Sequence, residues 1–199
     1  MASVLLVCLA SYLLGSIPNG LVFGKLIWHV DLREHGSHNI GATNAWRTLG
    51  KGPGFLIFLL DFLKGALSVG IAEVFAPLPL VMVIAGILAI VGHSCSLFLH
   101  FKGGKGVATG LGVIAMLMPL PSLIVFLVWL AIVMVTKYVS LGSCIAAALV
   151  PILSYAWGYP GVYTAFGVLA AAFIIIRHKA NIVRLMNGTE NKIHAGHRD

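Results

Sequence analysis

PLVMVIAGILAIVGHSCSLFLHFKGGKGVATGLGVIAMLMPL, residues 79–120, decides the fold. Two apolar stretches, 78–101 and 106–118, flank a turn that carries two lysines and a glycine pair. A bilayer core about 30 Å thick needs roughly 20 mostly apolar residues per crossing helix, and runs of this kind are built for it. Further apolar stretches lie at 2–28, 53–74, 121–137, 142–157 and 161–177, with Pro119, Pro121 and the Gly158–Pro160 turn separating the later ones. The reading is an all-α integral membrane protein of about seven transmembrane helices, forming a single domain over residues 1–199. The main competing count is five, with 106–118 and one later segment re-entrant or buried. MASVLLVCLASYLLGS has no basic residue ahead of its apolar run, which continues to Trp28, so a first spanning helix is expected there and not a signal peptide.

Composition agrees. Of 199 residues, 59% are hydrophobic and 10% charged, whereas a soluble domain carries about 25% charged residues. The net charge of +7 matters less than its placement. Loops 29–52, 101–106 and 137–141 and the tail from Arg177 hold nearly all the lysine and arginine, and the opposite connections hold none. By the positive-inside rule the N-terminus is expected outside and the C-terminus in the cytoplasm. Cys8, Cys95 and Cys144 are odd in number and sit in apolar stretches, so they read as small buried hydrophobes. The eight histidines lack ligand spacing with carboxylates or thiols, so no metal site is expected, and His194 and His197 read as part of a short polar tail.

Three elements on the basic side carry chemistry. The first loop, HVDLREHGSHNIGATNAWRTLGKGPG, is dense in hydrogen-bonding side chains: Ser37, Asn39, Thr43 and Asn44, then Arg47. Gly36 and Gly41 let backbone amides approach a ligand, and the arginine fork suits phosphate. A solvated loop touching lipid headgroups is the rival reading. In FKGGKGVATG, Gly103, Gly104 and Gly106 bring free amides, a helix N-terminus and Lys105 to one point, a ready anion site. It is not a Walker A loop. At the start of the tail, Arg177, His178, Asn181 and Arg184 fall at helical spacings. Arg177, Lys179 and Arg184 suit a lipid anchor, with Lys179 and Arg184 assigned to it, while His178 and Asn181 suit a site. Ser140 and Ser143 either donate to a phosphate or cap the following helix. Asp61 and Lys64, three apart within a span, read as an internal pair at least as well as a catalytic one, and the role of His93 stays open.

Taken together, GSHNIGATNAWR (36–47), GHSCSLFLHFKGGKGVATG (92–110) and RHKANIVRLMNGTE (177–190) resemble the bacterial acyl-phosphate–glycerol-3-phosphate acyltransferase family, the PlsY type. SYLLGSIPNG at the start, DFLKG at 61–65 and YVSLGS at 138–143 extend the resemblance over nearly the whole chain. The family has glycine where His38 stands and usually proline where Ser96 stands. The resemblance implies a multi-pass enzyme of the bacterial inner membrane. It would move a fatty acyl group from acyl phosphate to the 1-hydroxyl of glycerol 3-phosphate, releasing lysophosphatidic acid and phosphate. Membrane lipid surrounds it, and it is expected to act as a monomer with no cofactor and no nucleic-acid partner. By its motifs Ser37, Arg47, Lys105 and His178 are the catalytic candidates. Asn39, Thr43, Asn44, Gly103, Gly104, Gly106, Ser140, Ser143 and Asn181 are substrate-binding candidates, and Glu190 is structural.

No dedicated His–Asp dyad is expected: His29, for instance, has Glu34 five positions on, where other glycerolipid acyltransferases have aspartate. Either His178 or a substrate phosphate oxygen then takes the hydroxyl proton. A transporter of small phosphorylated anions and a scaffold without chemistry are the rivals from other classes. A transporter needs access from both faces, and the opposite connections are short and carry no cation.

Overall fold

The computed structural model describes residues 1–193. Among them are ten α-helices: α1 Ala2–Ser16, α2 Asn19–Trp28, α3 Ala42–Leu49, α4 Lys51–Phe75, α5 Pro79–Ser94, α6 Val107–Leu117, α7 Pro119–Thr136, α8 Val139–Ala156, α9 Gly161–Arg177 and α10 Lys179–Met186. Each expected apolar stretch is mainly helical, with 2–28 broken at Ile17 and Pro18 and 78–101 leaving the α-helix after Ser94. α4, α7 and α8 are each long and apolar enough to cross a bilayer, as is α5 continued to Leu99. The α1–α2 pair, bent by 43° at Pro18, and the α9–α10 pair, bent by 61° at His178, raise the number to six if each counts as one span. α6, with 11 residues, rises only about 16 Å and is too short to cross alone.

The short helix has a structural cause. A Cβ on Gly65, past the midpoint of α4, would strike the Thr109 carbonyl near the start of α6, and one on Gly112 would strike the Phe62 carbonyl. α6 therefore begins beside the middle of α4, and the turn before it folds back into the bundle. Small residues at such crossings are how helices associate when lipid is as apolar as their side chains. Leu5, Leu67, Leu127, Ile152 and Leu169 point outward and exposed, while Val69, Val113, Met118, Val125 and Phe166 fill the interior. A chain apolar both inside and outside is solvated by lipid.

Two charged residues lie inside. Asp61 and Lys64 are 2% and 3% exposed, and Lys64 Nζ stands 3.0 Å from Asp61 Oδ1. The same carboxylate accepts from Asn19 Nδ2 at 3.0 Å. Lys64 also donates to the Ile17 carbonyl at 2.9 Å, in the break between α1 and α2. The pair thus ties the broken first span to α4. Cys8, Cys95 and Cys144 are free thiols and only half-buried, more open than their apolar neighbours led one to expect.

Candidate active site

The first loop, the GGKG turn, the start of α8 and the tail after Arg177 meet at one end of the bundle. In the first loop the organising residue is Asn44, 1% exposed. Its Nδ2 donates to the carbonyls of Leu32, His35 and Asn39 at 2.8–3.0 Å, and its Oδ1 accepts from the Ser37 amide at 2.8 Å. That network forces turns: Gly36 and His38 both take left-handed backbone, with φ of +59° and +55°. The requirement explains why glycine suits position 38, and His38 meets it while its Nδ1 stands 2.9 Å from the Arg33 carbonyl. Asp31, held well below the ordinary carboxylate range by hydrogen bonds from Arg33, anchors the loop's start. Asn39 accepts from the Gly41 amide at 2.9 Å and opens α3, an amphipathic helix within the expected loop.

Arg47, on α3, points back into the bundle. One N–H reaches the Asn191 carbonyl at 2.8 Å, while its Nε is buried without a hydrogen-bond partner among the described residues. Burial pushes its pKa down. A buried guanidinium nitrogen with nothing to donate to is an open place for an anion.

The GGKG turn is braced from behind. The Gly104 amide donates to the His93 carbonyl at 3.1 Å, and a Cβ there would collide with the His93 ring. Arg177 donates to the Gly103 and Gly104 carbonyls at 3.2 and 2.9 Å. Gly106 then starts α6 at φ +81°, and the leading amides of the helix face the same space as Lys105. Lys105 Nζ donates to Asn181 Oδ1 at 2.5 Å. Burial lowers the lysine to a pKa of about 8.

Behind Lys105 stands Glu190. Its Oε1 accepts from Ser140 Oγ at 2.8 Å and from Asn181 Nδ2 at 2.6 Å, and its Oε2 accepts from Arg184 Nε at 2.7 Å. Burial alone would raise this carboxyl, but those hydrogen bonds outweigh it and hold the pKa below the usual value. Arg184, expected as a lipid anchor, is in fact the charge partner of this carboxylate. His178, at the bend between α9 and α10, is 3% exposed. Its Nδ1 lies 2.8 Å from the Ile174 carbonyl, which fixes the proton on Nδ1 and leaves Nε2 as the acceptor. Burial and the Lys105 charge lower its pKa to about 4.

One cavity brings the candidates together: Ser37, Asn39, Thr43, Asn44 and Arg47 from the first loop, Lys105 and Gly106 from the turn, Ser140 and Ser143 from α8, and His178 and Asn181 from the tail. Gly103 and Gly104 do not line it; they shape the turn that does. Ser143 is already engaged, donating to the Val139 carbonyl at 2.8 Å and accepting from Trp129 Nε1 at 3.3 Å. Arg177 as a brace, the Arg184–Glu190 buttress and the Asn191 carbonyl were not anticipated. The near spacing of Arg184 and Glu190 in the tail was the one available signal. His194 and His197 lie outside the described residues. So do His194 and Asp199, the histidine and aspartate of this chain that stand five positions apart.

Beyond its polar mouth the cavity runs between helices over an apolar wall that includes Phe58, Ile114, Phe126, Val150 and Phe166. A cationic mouth over an apolar trough suits a substrate with an anionic head and a hydrocarbon tail.

Residues 5–188 match the family model described as glycerol-3-phosphate acyltransferase. A glycerol-3-phosphate acyltransferase of Syntrophomonas wolfei is 47% identical over 192 residues, covering 96% of each chain. One of Fusobacterium nucleatum is 44% identical over 182 residues, covering 92% of this chain and 94% of its own. Among solved structures, the crystal structure of PlsY, an integral membrane glycerol 3-phosphate acyltransferase in its glycerol 3-phosphate form, superposes with a TM-score of 0.92 at 43% identity over 96% of each chain. The lysophosphatidic acid form gives 0.89 at 41% identity, over 96% of this chain and 95% of that one.

Proposed function

The chain belongs to the glycerol-3-phosphate acyltransferase family, and from that premise we propose that it transfers a fatty acyl group from acyl phosphate to the 1-hydroxyl of glycerol 3-phosphate. The products are lysophosphatidic acid and inorganic phosphate. The enzyme is a multi-pass membrane protein; it works in the bacterial inner membrane as a monomer and single domain, surrounded by lipid. The N-terminus is outside and the C-terminus cytoplasmic, with α6 making the seventh crossing where the turn before it is folded inward. The segregation of lysine and arginine to one side supports that orientation.

The observation that carries the reading is the pair of half-satisfied cations, Arg47 and Lys105, at the mouth of an apolar cavity. Between them they hold two phosphates, one on each substrate. The α6 amides, with Ser37 and Thr43, complete the anion sites. Asn39, Asn44, Gly103, Gly104 and Ser143 act by shaping the loops and helix ends that present these groups. Ser140 and Asn181, both hydrogen-bonded to Glu190, orient Lys105 and the acceptor. Fixing both reactants contributes several kcal/mol, roughly 7–11 at best. Cations beside the carbonyl and the departing phosphate stabilise the charge that grows there.

The proton goes to a phosphate oxygen. His178, with a pKa of about 4, is a weaker base than a phosphate monoester, whose second pKa is near 6. Its Nε2 instead accepts a hydrogen bond and orients the hydroxyl. Acyl phosphate is already activated, so a modest base suffices.

The test is acyl transfer in detergent, with acyl phosphate and labelled glycerol 3-phosphate, followed across pH. Product forms without any ion gradient, which a transporter does not deliver. The rate rises through about pH 6 as the substrate phosphate becomes dianionic. kcat/KM then falls as pH rises through about 8, where Lys105 loses its charge. A rising limb near 4 would assign the base to His178, and no product with any acyl donor would end the reading.

A further inference from the structure

The apolar part of the cavity is closed at its far end. Val150 and Phe166 line it there, both within the packed interior at 6% and 1% exposed, and Phe166 is the largest fully buried side chain among the described residues. Beside them α8 and α9 touch backbone to backbone: a Cβ on Gly167 would come within 3.1 Å of the Pro151 Cα and N. Ser154 and Thr164, 2.9 Å apart, fasten the same two helices further along. No chain passes between helices held that closely.

Above this closure the wall is made of small side chains. Ala146 and Ala147 on α8 and Ala170 and Ala171 on α9 all face the cavity. Along α8 the distance from Ser140, at the polar mouth, to Val150 is about 15 Å at 1.5 Å per residue. That is half of a hydrocarbon core of about 30 Å, the depth filled by the acyl chains of one leaflet.

We infer that Val150 and Phe166 form the floor of an acyl trough, and that the alanines above them keep it open to the full length of a membrane acyl chain. The inference rests on the proposed reading, with the acyl donor's head at Lys105. The pair sets which chain length is used, and the small residues at 147 and 171 set how far down any chain reaches.

The test uses the full-length protein in detergent, with octanoyl, palmitoyl and stearoyl phosphate as donors. Ala147→Leu should lower the palmitoyl-over-octanoyl ratio of kcat/KM by about tenfold or more, a common cost of mismatched methylenes in an apolar pocket. The octanoyl rate should fall far less than the palmitoyl rate, and a melting temperature within a few degrees of the wild type shows that the variant folds. Phe166→Leu, which deepens the trough, should raise the stearoyl-over-palmitoyl ratio several-fold. Thermal stabilisation by octanoyl-, palmitoyl- and stearoyl-lysophosphatidic acid gives a readout independent of the donor, and it should shift in the same directions. Ratios unchanged in both variants and both readouts would overturn the inference. Wild-type protein inert to every acyl phosphate yet stabilised by palmitoyl-lysophosphatidic acid would overturn only the donor, and the stabilisation ratios would then decide the floor.

Discussion

Lys105→Met should lower kcat/KM for glycerol 3-phosphate acylation by about 10²–10³-fold, the usual loss when one preorganised group aimed at developing charge is removed. Methionine keeps the aliphatic stem, so packing around the GGKG turn changes little. The charge goes, and with it the partner of Asn181 Oδ1. Because the ammonium acts where negative charge accumulates on the leaving phosphate, the loss should fall mainly on kcat. A rise in KM alone would make Lys105 a ground-state anchor. The melting temperature in detergent should stay within a few degrees of the wild type, since the turn is held by Arg177 and His93 and not by the lysine.

The largest effect on stability is expected at the other buried cation. Asp61→Ala leaves Lys64 at 3% exposure without its counter-charge, and removing one partner of such a pair costs about 3–5 kcal/mol. Thermal unfolding in detergent should show a large fall in midpoint. Adding Lys64→Met to the same chain should recover most of it, because no unpaired charge remains. The double variant should also retain activity per folded molecule, since the pair serves to join α1 and α2 to α4. A double variant as unstable as the single one would show that Asp61 matters through Asn19 instead.

Much of this architecture was legible before any coordinates. Continuous apolar stretches mark helices because a bilayer demands satisfied backbone over its whole thickness. Lysine and arginine gather at one end of the bundle, in the first loop, the GGKG turn and the tail, because charges stay out of hydrocarbon unless paired. What was hidden depends on contacts between distant residues. α3 is eight residues of mixed polarity inside a loop, and it stands because Asn44 spends its side chain on four neighbouring backbone groups. The inward fold of the GGKG turn depends on Gly104 meeting the ring of His93, which nothing in the turn's composition announces. Arg177 and Arg184 look alike to any lipid-anchor rule, yet one holds two glycine carbonyls and the other a buried carboxylate. That these residues share one cavity follows from motifs legible in the sequence; their internal order, Arg184 to Glu190 to Asn181 to Lys105, was not legible there.

Whether Arg47 and Lys105 receive the substrate phosphates at one polar mouth can be read from a structure of the protein with glycerol 3-phosphate bound. The phosphate oxygens should lie within about 3 Å of the Arg47 guanidinium, as charge-assisted hydrogen bonds require. Arg47 Nε, which has no partner among the described residues, should acquire one, and the guanidinium's contact with the Asn191 carbonyl should loosen. Phosphate bound away from both cations, with Arg47 still on Asn191, would mean that these two groups are not the phosphate sites.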